Sequence, residues 1–466
     1  MNKRLFLFAA VLFISPCAVP AGILPCKAHK KTLENGLDVI VMETPAFANV
    51  LNVNTMILAG SRNEVEKGRT GLAHLFEHMA FRHKYDDPAS AYTNRIERMG
   101  AFDNGWTWFD ITYYHPVTFV SNLEEMVKLQ AERFVSMDFS ERIYRTEAGA
   151  VLGEYRRIAS DPSVRMEEVQ ADLAYGKEHG YGHTTMGYLE DVVDMPNSYA
   201  SGRAFYEMYY RPQNAVVIVA APVGSPSAPG LTADHIFDSV ASAYGPWKAG
   251  KAPDLPQAKP LEGPRRAHVD WESDVPPRIS YAYRVPPFKP GTAESAVLAI
   301  LPELLAGKTS PLFQKLRYEK KSATQVHVDG RSAQGFDSRL LEMSVRLDEK
   351  KHKKEGKALL DAVEKDIEEG FEELKEFSKR PDAERTLGAV QSKFRYDLLA
   401  SLDSPHSIAS VFAWYYRFSR DMDVLDRLIQ SVDKLTPSDV DGFAQKHFVP
   451  ANRVVVTMSY KEASGK

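Results

Sequence analysis

Cysteine is nearly absent from this chain: Cys17 and Cys26 are the only two in 466 residues. A disulfide scaffold is excluded, because one thiol would remain once the N-terminal segment described below is removed. A surplus of one charge is lacking too. Lys and Arg total 58 against 62 Asp and Glu, a net charge of −4, so no overall basic field draws the chain to nucleic acid. The one local exception, Lys350-Lys351-His352-Lys353-Lys354, is neutralised by Glu349, Glu355 and the acid-rich stretch beyond, and reads as a solvated helix face. After the first twenty residues no segment reads as long and apolar enough to cross a bilayer. No stable membrane insertion is therefore expected.

The N-terminus reads as an export signal over residues 1–21. Lys3 and Arg4 supply its charge, Leu5 to Ile14 its apolar run, and Val19-Pro20-Ala21 the small residues suited to cleavage. An uncleaved anchor is the alternative. Cleavage removes two cations and no acid, taking the net charge from −4 to −6. The expected destination is the periplasm or cell envelope.

The remaining length exceeds what one core accommodates, so two domains are expected. A Pro-x-Asn turn into a Val-rich strand occurs twice, at Pro212-Gln213-Asn214 before Ala215 to Ala220 and at Pro450-Ala451-Asn452 before Arg453 to Met458. This repetition hints at a duplicated module. The boundaries read as a first module over 22–245, a Pro- and Lys-rich linker over 246–268 and a second module over 269–466. Strands are expected at Leu37 to Met42, Val50 to Leu58 and Arg278 to Val285, with strand pairing through 100–117.

The most informative stretch is Gly71 to Lys84, GLAHLFEHMAFRHK. Leu72, Leu75, Phe76 and Met79 follow helical spacing and form a core stripe. His74, Glu77, His78 and Phe81 repeat that spacing on the opposite face. Two imidazoles one turn apart can share a Zn²⁺ ion, and a carboxylate between them can take a proton from attacking water. This is H-x-x-E-H, the inverted form of the H-E-x-x-H helix. The plain alternative is a surface helix with two hydrogen-bonded histidines. A second helix is expected over Ile143 to Ser160. Its Glu147 and Glu154 lie two turns apart and project in nearly the same direction. Taken alone, they read as solvated acids.

Together these residues resemble the pitrilysin/insulinase family of inverzincin metallopeptidases, which includes the mitochondrial processing peptidase. The likeness runs through AGSRNE at 59–64, GLAHLFEHMAF at 71–81, the Glu147 and Glu154 helix, YGHTTMG at 181–187, YYRPQNAVVIV at 209–219 and SPLFQKLR at 310–317. The resemblance implies one zinc per chain held by His74, His78 and Glu154, Glu77 as the base, and Glu147 supporting the site from behind. It implies an α+β fold of two similar modules, each a mostly antiparallel sheet with helices packed on one face, enclosing a chamber. If the two modules are copies, only the first kept metal chemistry, since the helix of Thr292 to Leu305 has no histidine.

The resemblance also implies that peptide substrate adds as a strand along Asn104, Gly105, Trp106 and Thr107. Gly105 departs from the alanine common in the family. An arginine–tyrosine pair is expected seven residues apart in the second module. Arg317 fills the first place, but Thr324 stands at the second, and its hydroxyl is too short to replace a phenol. Members of this size often pair, so a homodimer, or a heterodimer with a metal-free member, is expected. The implied activity is a zinc endopeptidase acting on peptides or unfolded segments. The alternative is a non-catalytic assembly or peptide-binding subunit of the same family.

Overall fold

The computed structural model describes residues 22–84, 87, 91–137 and 139–460. The expected export signal, 1–21, lies outside the described residues. Among these, twelve strands form two sheets. The first contains β1 (Lys27–Thr32), β2 (Asp38–Glu43), β3 (Val50–Ile57), β4 (Gly105–Thr107), β5 (Thr112–Tyr114), β6 (Val117–Phe119) and β7 (Ala215–Ala221), in the order β1-β2-β7-β3-β5-β4 with β6 also on β3. The second contains β8 (Arg265–Trp271), β9 (Arg278–Val285), β10 (Ala323–Asp329), β11 (Arg339–Leu347) and β12 (Arg453–Tyr460), in the order β10-β11-β9-β12-β8.

The two sheets share one wiring diagram. In the first, β2 runs parallel to β7, and antiparallel pairings then continue through β3, β5 and β4. In the second, β8 runs parallel to β12, and antiparallel pairings continue through β9, β11 and β10. Each Pro-x-Asn turn is a short 3₁₀ turn feeding the central strand, β7 or β12. A helix follows β3 at Leu72–Ala80 and follows β9 at Ala293–Ala306. The chain is a two-module α+β fold.

One boundary and one reading of composition differ from expectation. β8 begins at Arg265, inside the stretch expected as linker, because Val454 and its neighbours on β12 pair with it in parallel register. The helical stretch Ala293–Glu319 is long and apolar enough to cross a membrane, contrary to the sequence reading. Ala296, Val297, Leu298, Ile300 and Leu301 explain its composition, since they are buried in the second module's core.

Side chains alternate across a strand, and here both faces of each sheet are covered. Val39, Val41, Val217 and Val219 point into the first module's own helical core. Their neighbours Ile40, Met42, Val216 and Ile218 point the other way, onto Ile408, Phe412 and Tyr416. Those three belong to the helix Pro405–Ser419, which comes from the second half of the chain. The exchange is reciprocal: Met166 on the first-half helix Pro162–Tyr175 packs on Val456 and Met458 of β12. Double coverage is why β7 is an unbroken apolar run. Phe412 is fully buried at this junction. Phe412→Ala should cost about 3–5 kcal/mol, read from the shift in denaturant midpoint at constant slope.

Candidate metal centre

The motif helix, Leu72–Ala80, starts where Gly71 takes φ 87°, a left-handed turn that costs glycine little. A Cβ there would approach the Met186 carbonyl oxygen to 2.8 Å. The open N–H groups of the first turn are met by Glu64. Its Oε2 accepts from Gly71 N at 2.7 Å and its Oε1 from Ala73 N at 2.6 Å. Burial pushes the Glu64 carboxyl up to about 8, with these two bonds pulling against it. The sequence reading passed over this residue, because a capping acid is usually sought beside the helix start rather than seven residues upstream. The helix ends sooner than expected, with Phe81 as its C-cap and Lys84 at positive φ.

One turn separates His74 from His78, and their rings meet edge to face with centroids 4.8 Å apart. The carboxylate helix, Glu141–Ile158, is capped by Ser140 and packs across the motif helix. It carries Glu154 to the pair: Oε2 lies 3.8 Å from His74 Nε2 and 3.6 Å from His78 Nε2. The other oxygen, Oε1, accepts from Arg157 Nη2 at 3.1 Å. Among the described residues, these three form the one group of His, Cys, Asp or Glu able to converge on an ion, with donor atoms within 4.8 Å of one another. Ligands about 2.1 Å from a tetrahedral zinc stand roughly 3.4 Å apart; the Glu154 oxygen is already near that spacing from both rings, and the two imidazole donors would have to close further to share the ion. Burial, then the neighbouring His78, brings His74 down to about 4, so it is neutral and free to ligate.

Glu147, two turns before Glu154, reaches the other side of His78, with Oε2 3.6 Å from Nδ1. Its Oε1 accepts from Arg82 Nε at 2.8 Å. Burial would raise this carboxyl, but the neighbouring His78 imidazole and the Arg82 guanidinium hold it below its usual value. One imidazole nitrogen is thereby oriented while the other faces the metal position, the arrangement that fixes a ligand's tautomer. Burial likewise opposes charge on His78, but Glu147, Glu77 and Glu154 around it raise its pKa.

Glu77 Oε2 accepts from Thr107 Oγ1 at 2.7 Å. Burial pushes the Glu77 carboxyl up, against the pull of that bond and of His78. Thr107 belongs to the expected substrate edge, and its hydroxyl is turned toward the motif helix. Among the described residues β4 is the terminal strand of its sheet, so one side of its backbone is free of strand pairing there. The expected edge residues divide between two faces. Gly105 lies against the motif helix, where a Cβ would stand 3.2 Å from Phe81 Cζ, the Tyr113 carbonyl oxygen and Tyr114 Cδ1. An alanine there would require these neighbours to give by a few tenths of an ångström. Trp106 turns away, with its ring 5.2 Å from Tyr113 and 6.3 Å from Trp414. Asn104 bonds locally: its Oδ1 accepts from Gly105 N, and its carbonyl oxygen from His115 N.

Arg317 is not brought to this cluster by the observed contacts. Its Nη1 donates to the Ala323 carbonyl oxygen at 2.7 Å, and Thr324 Oγ1 donates to the Arg346 carbonyl oxygen at 3.2 Å. The described hydrogen bonds and ion pairs of His74, Glu77, His78, Glu147 and Glu154 all stay within the first module.

Residues 39–186 match the family described as Insulinase (Peptidase family M16), and residues 198–380 match Peptidase M16 inactive domain; together they cover more than half of the chain. The zinc protease PqqE of Helicobacter pylori (strain ATCC 700392 / 26695) is 28% identical over 456 residues, covering 96% of each protein. The beta subunit of the mitochondrial-processing peptidase of Caenorhabditis elegans is 25% identical over 265 residues, covering 54% of this chain and 56% of that one. The crystal structure of a protease from Helicobacter pylori superposes with a TM-score of 0.80 at 24% identity, covering 93% of this chain and 99% of that one.

Proposed function

Because the chain belongs to the insulinase-type peptidases of family M16, we propose that it is an exported zinc endopeptidase that cuts peptides or unfolded segments. The observation that carries this reading is the convergence of His74, His78 and Glu154, donor to donor, with the Glu77 carboxylate alongside. These three would hold one zinc ion, which when bound supplies a Lewis acid for the scissile carbonyl and for water. Glu77 takes the proton from the attacking water and passes it to the leaving amine. Its raised pKa suits both halves of that task. Thr107 fixes the carboxylate by donating to one oxygen, leaving the other for the proton. Glu147, anchored by Arg82, keeps His78 turned toward the ion. The open side of β4 offers backbone N–H and C=O groups to an extended substrate, a mode that accepts many sequences.

Two further points belong to this reading. Arg317 and Thr324 are occupied within their own module, so the groups that steady the tetrahedral oxyanion come from a second chain, either another copy or a metal-free relative. The relative named as a beta subunit supports a paired state. The charged and apolar pattern of residues 1–21 supports export to the periplasm or cell envelope.

The test is digestion of an unfolded peptide library by the zinc-loaded chain, alone and with any co-purifying partner. Cleavage should disappear on chelation and return with about one zinc per chain. Cleavage that persists in the metal-free protein would rule the reading out.

A further inference from the structure

Arg133, on the helix Leu123–Val135, is fully buried. Its guanidinium carbon lies 4.5 Å from the Tyr92 ring centroid, 4.6 Å from Tyr114, 5.2 Å from Phe134 and 5.4 Å from Phe81. The acid facing it, Asp103, has Oδ2 3.9 Å from Nη1. Nη2 donates to Gln130 Oε1, while Nε and Nη1 have no hydrogen-bond partner among the described residues. Taking a cation this deep out of water is costly, and a single loose pairing does not repay it. The aromatic cage recovers part of it. Ordinary packing would be better served by an apolar side chain, so the charge itself needs a reason.

The contacts around Asp103 supply one. Gln130 Nε2 donates to Tyr92 Oη at 2.7 Å, and Tyr92 Oη donates to Asp103 Oδ2 at 2.5 Å. Asp103 directly precedes Asn104, whose Oδ1 accepts from Gly105 N and whose carbonyl oxygen accepts from His115 N. The next three residues are the whole of β4. Phe81, one wall of the cage, is also the C-cap of the motif helix and the ring on which Gly105 rests. One buried cation therefore touches the end of the metal-bearing helix and the turn that launches the free edge strand.

We propose that Arg133, acting through Tyr92 and Asp103, is a positioning residue that sets β4 at the height and register needed to align an extended peptide with the motif helix. The proposal rests on the peptidase reading. It assigns Arg133 no contact with substrate or metal. Its signature is selective: peptide binding should weaken more than the turnover of bound peptide, which feels β4 only through the Thr107 bond to Glu77, while zinc content stays intact. A role confined to stability would lower the amount of active protein without changing KM.

The mildest probe is Tyr92→Phe, which removes one hydroxyl and keeps the ring. It should raise KM for an unfolded peptide about 3- to 10-fold, with a smaller change in kcat and unchanged zinc per chain. Arg133→Met should raise KM further. Adding Asp103→Asn to it should restore part of the loss, because the pair is then neutral, and such non-additivity marks a direct interaction. Unchanged KM in Tyr92→Phe, or simple additivity in the Arg133→Met/Asp103→Asn cycle, would overturn the proposal while leaving the peptidase reading standing. A wild-type chain that neither binds nor cuts unfolded peptide would instead remove the peptidase reading, and this proposal with it.

Discussion

Glu77→Gln should still bind one zinc and still bind unfolded peptide, while its hydrolysis falls by about 10²–10⁴-fold. The substitution keeps the side chain's size and its ability to accept from Thr107 Oγ1, so the edge strand and motif helix stay joined. What it removes is an oxygen able to carry a proton. Glu77 is not among the three converging donors, so metal content should hold. The loss should fall on kcat and kcat/KM alike, because the proton transfer belongs to the transition state and not to the bound ground state. Zinc by mass spectrometry, peptide affinity and single-turnover rate measure the three quantities separately. A variant that hydrolyses peptide at the wild-type rate would show that the base is elsewhere. A variant that loses zinc would give Glu77 a ligand role instead.

Much of this centre is legible in the sequence, because helical spacing is a local rule. His74 to His78 is four residues and Glu147 to Glu154 is seven, and each interval sets a shared face wherever its helix packs. The repeated Pro-x-Asn turns likewise mark the two central strands, since a turn followed by a β-branched run needs no tertiary information. The convergence of Glu154 on His74 and His78 is different in kind. It depends on how two helices cross, and spacing within either helix is silent on that.

The residues the sequence reading missed all act across space. Glu64 caps a helix that starts seven residues later, through a loop whose path is set by packing. Arg82 is one basic residue among many until Glu147 is seen beside it. Arg133 falls on the helix Leu123–Val135, and nothing in its spacing separates it from a surface arginine. The exchange of helices between modules was equally hidden. An amphipathic helix reveals which face it buries but not which sheet receives it, so Pro405–Ser419 reads as second-module structure although it covers β2, β3 and β7.

Glu154→Ala is the cleaner of the two ways to empty the metal position. His74 is a buried part of the motif helix, so truncating it disturbs packing along with coordination. The Glu154 side chain is about one-third exposed, and its other partner is the mobile-stemmed, exposed Arg157, so the metal-free fold loses little when it goes. The expected result is a metal-free unfolding midpoint close to wild type, with zinc affinity down by more than about 100-fold, beyond the roughly 10- to 100-fold that losing an orienting partner costs. Glu147→Gln provides that smaller loss for comparison, since it spares all three donors and weakens only the hold on His78. Peptide hydrolysis by Glu154→Ala should fall to background, and adding Glu77→Gln should lower it no further, because the base has no activated water to act on once the ion is gone. Titration with zinc against a competing chelator ranks the three proteins. A Glu154→Ala chain that keeps one tightly bound zinc and its peptidase activity would mean that the ion is held by other residues.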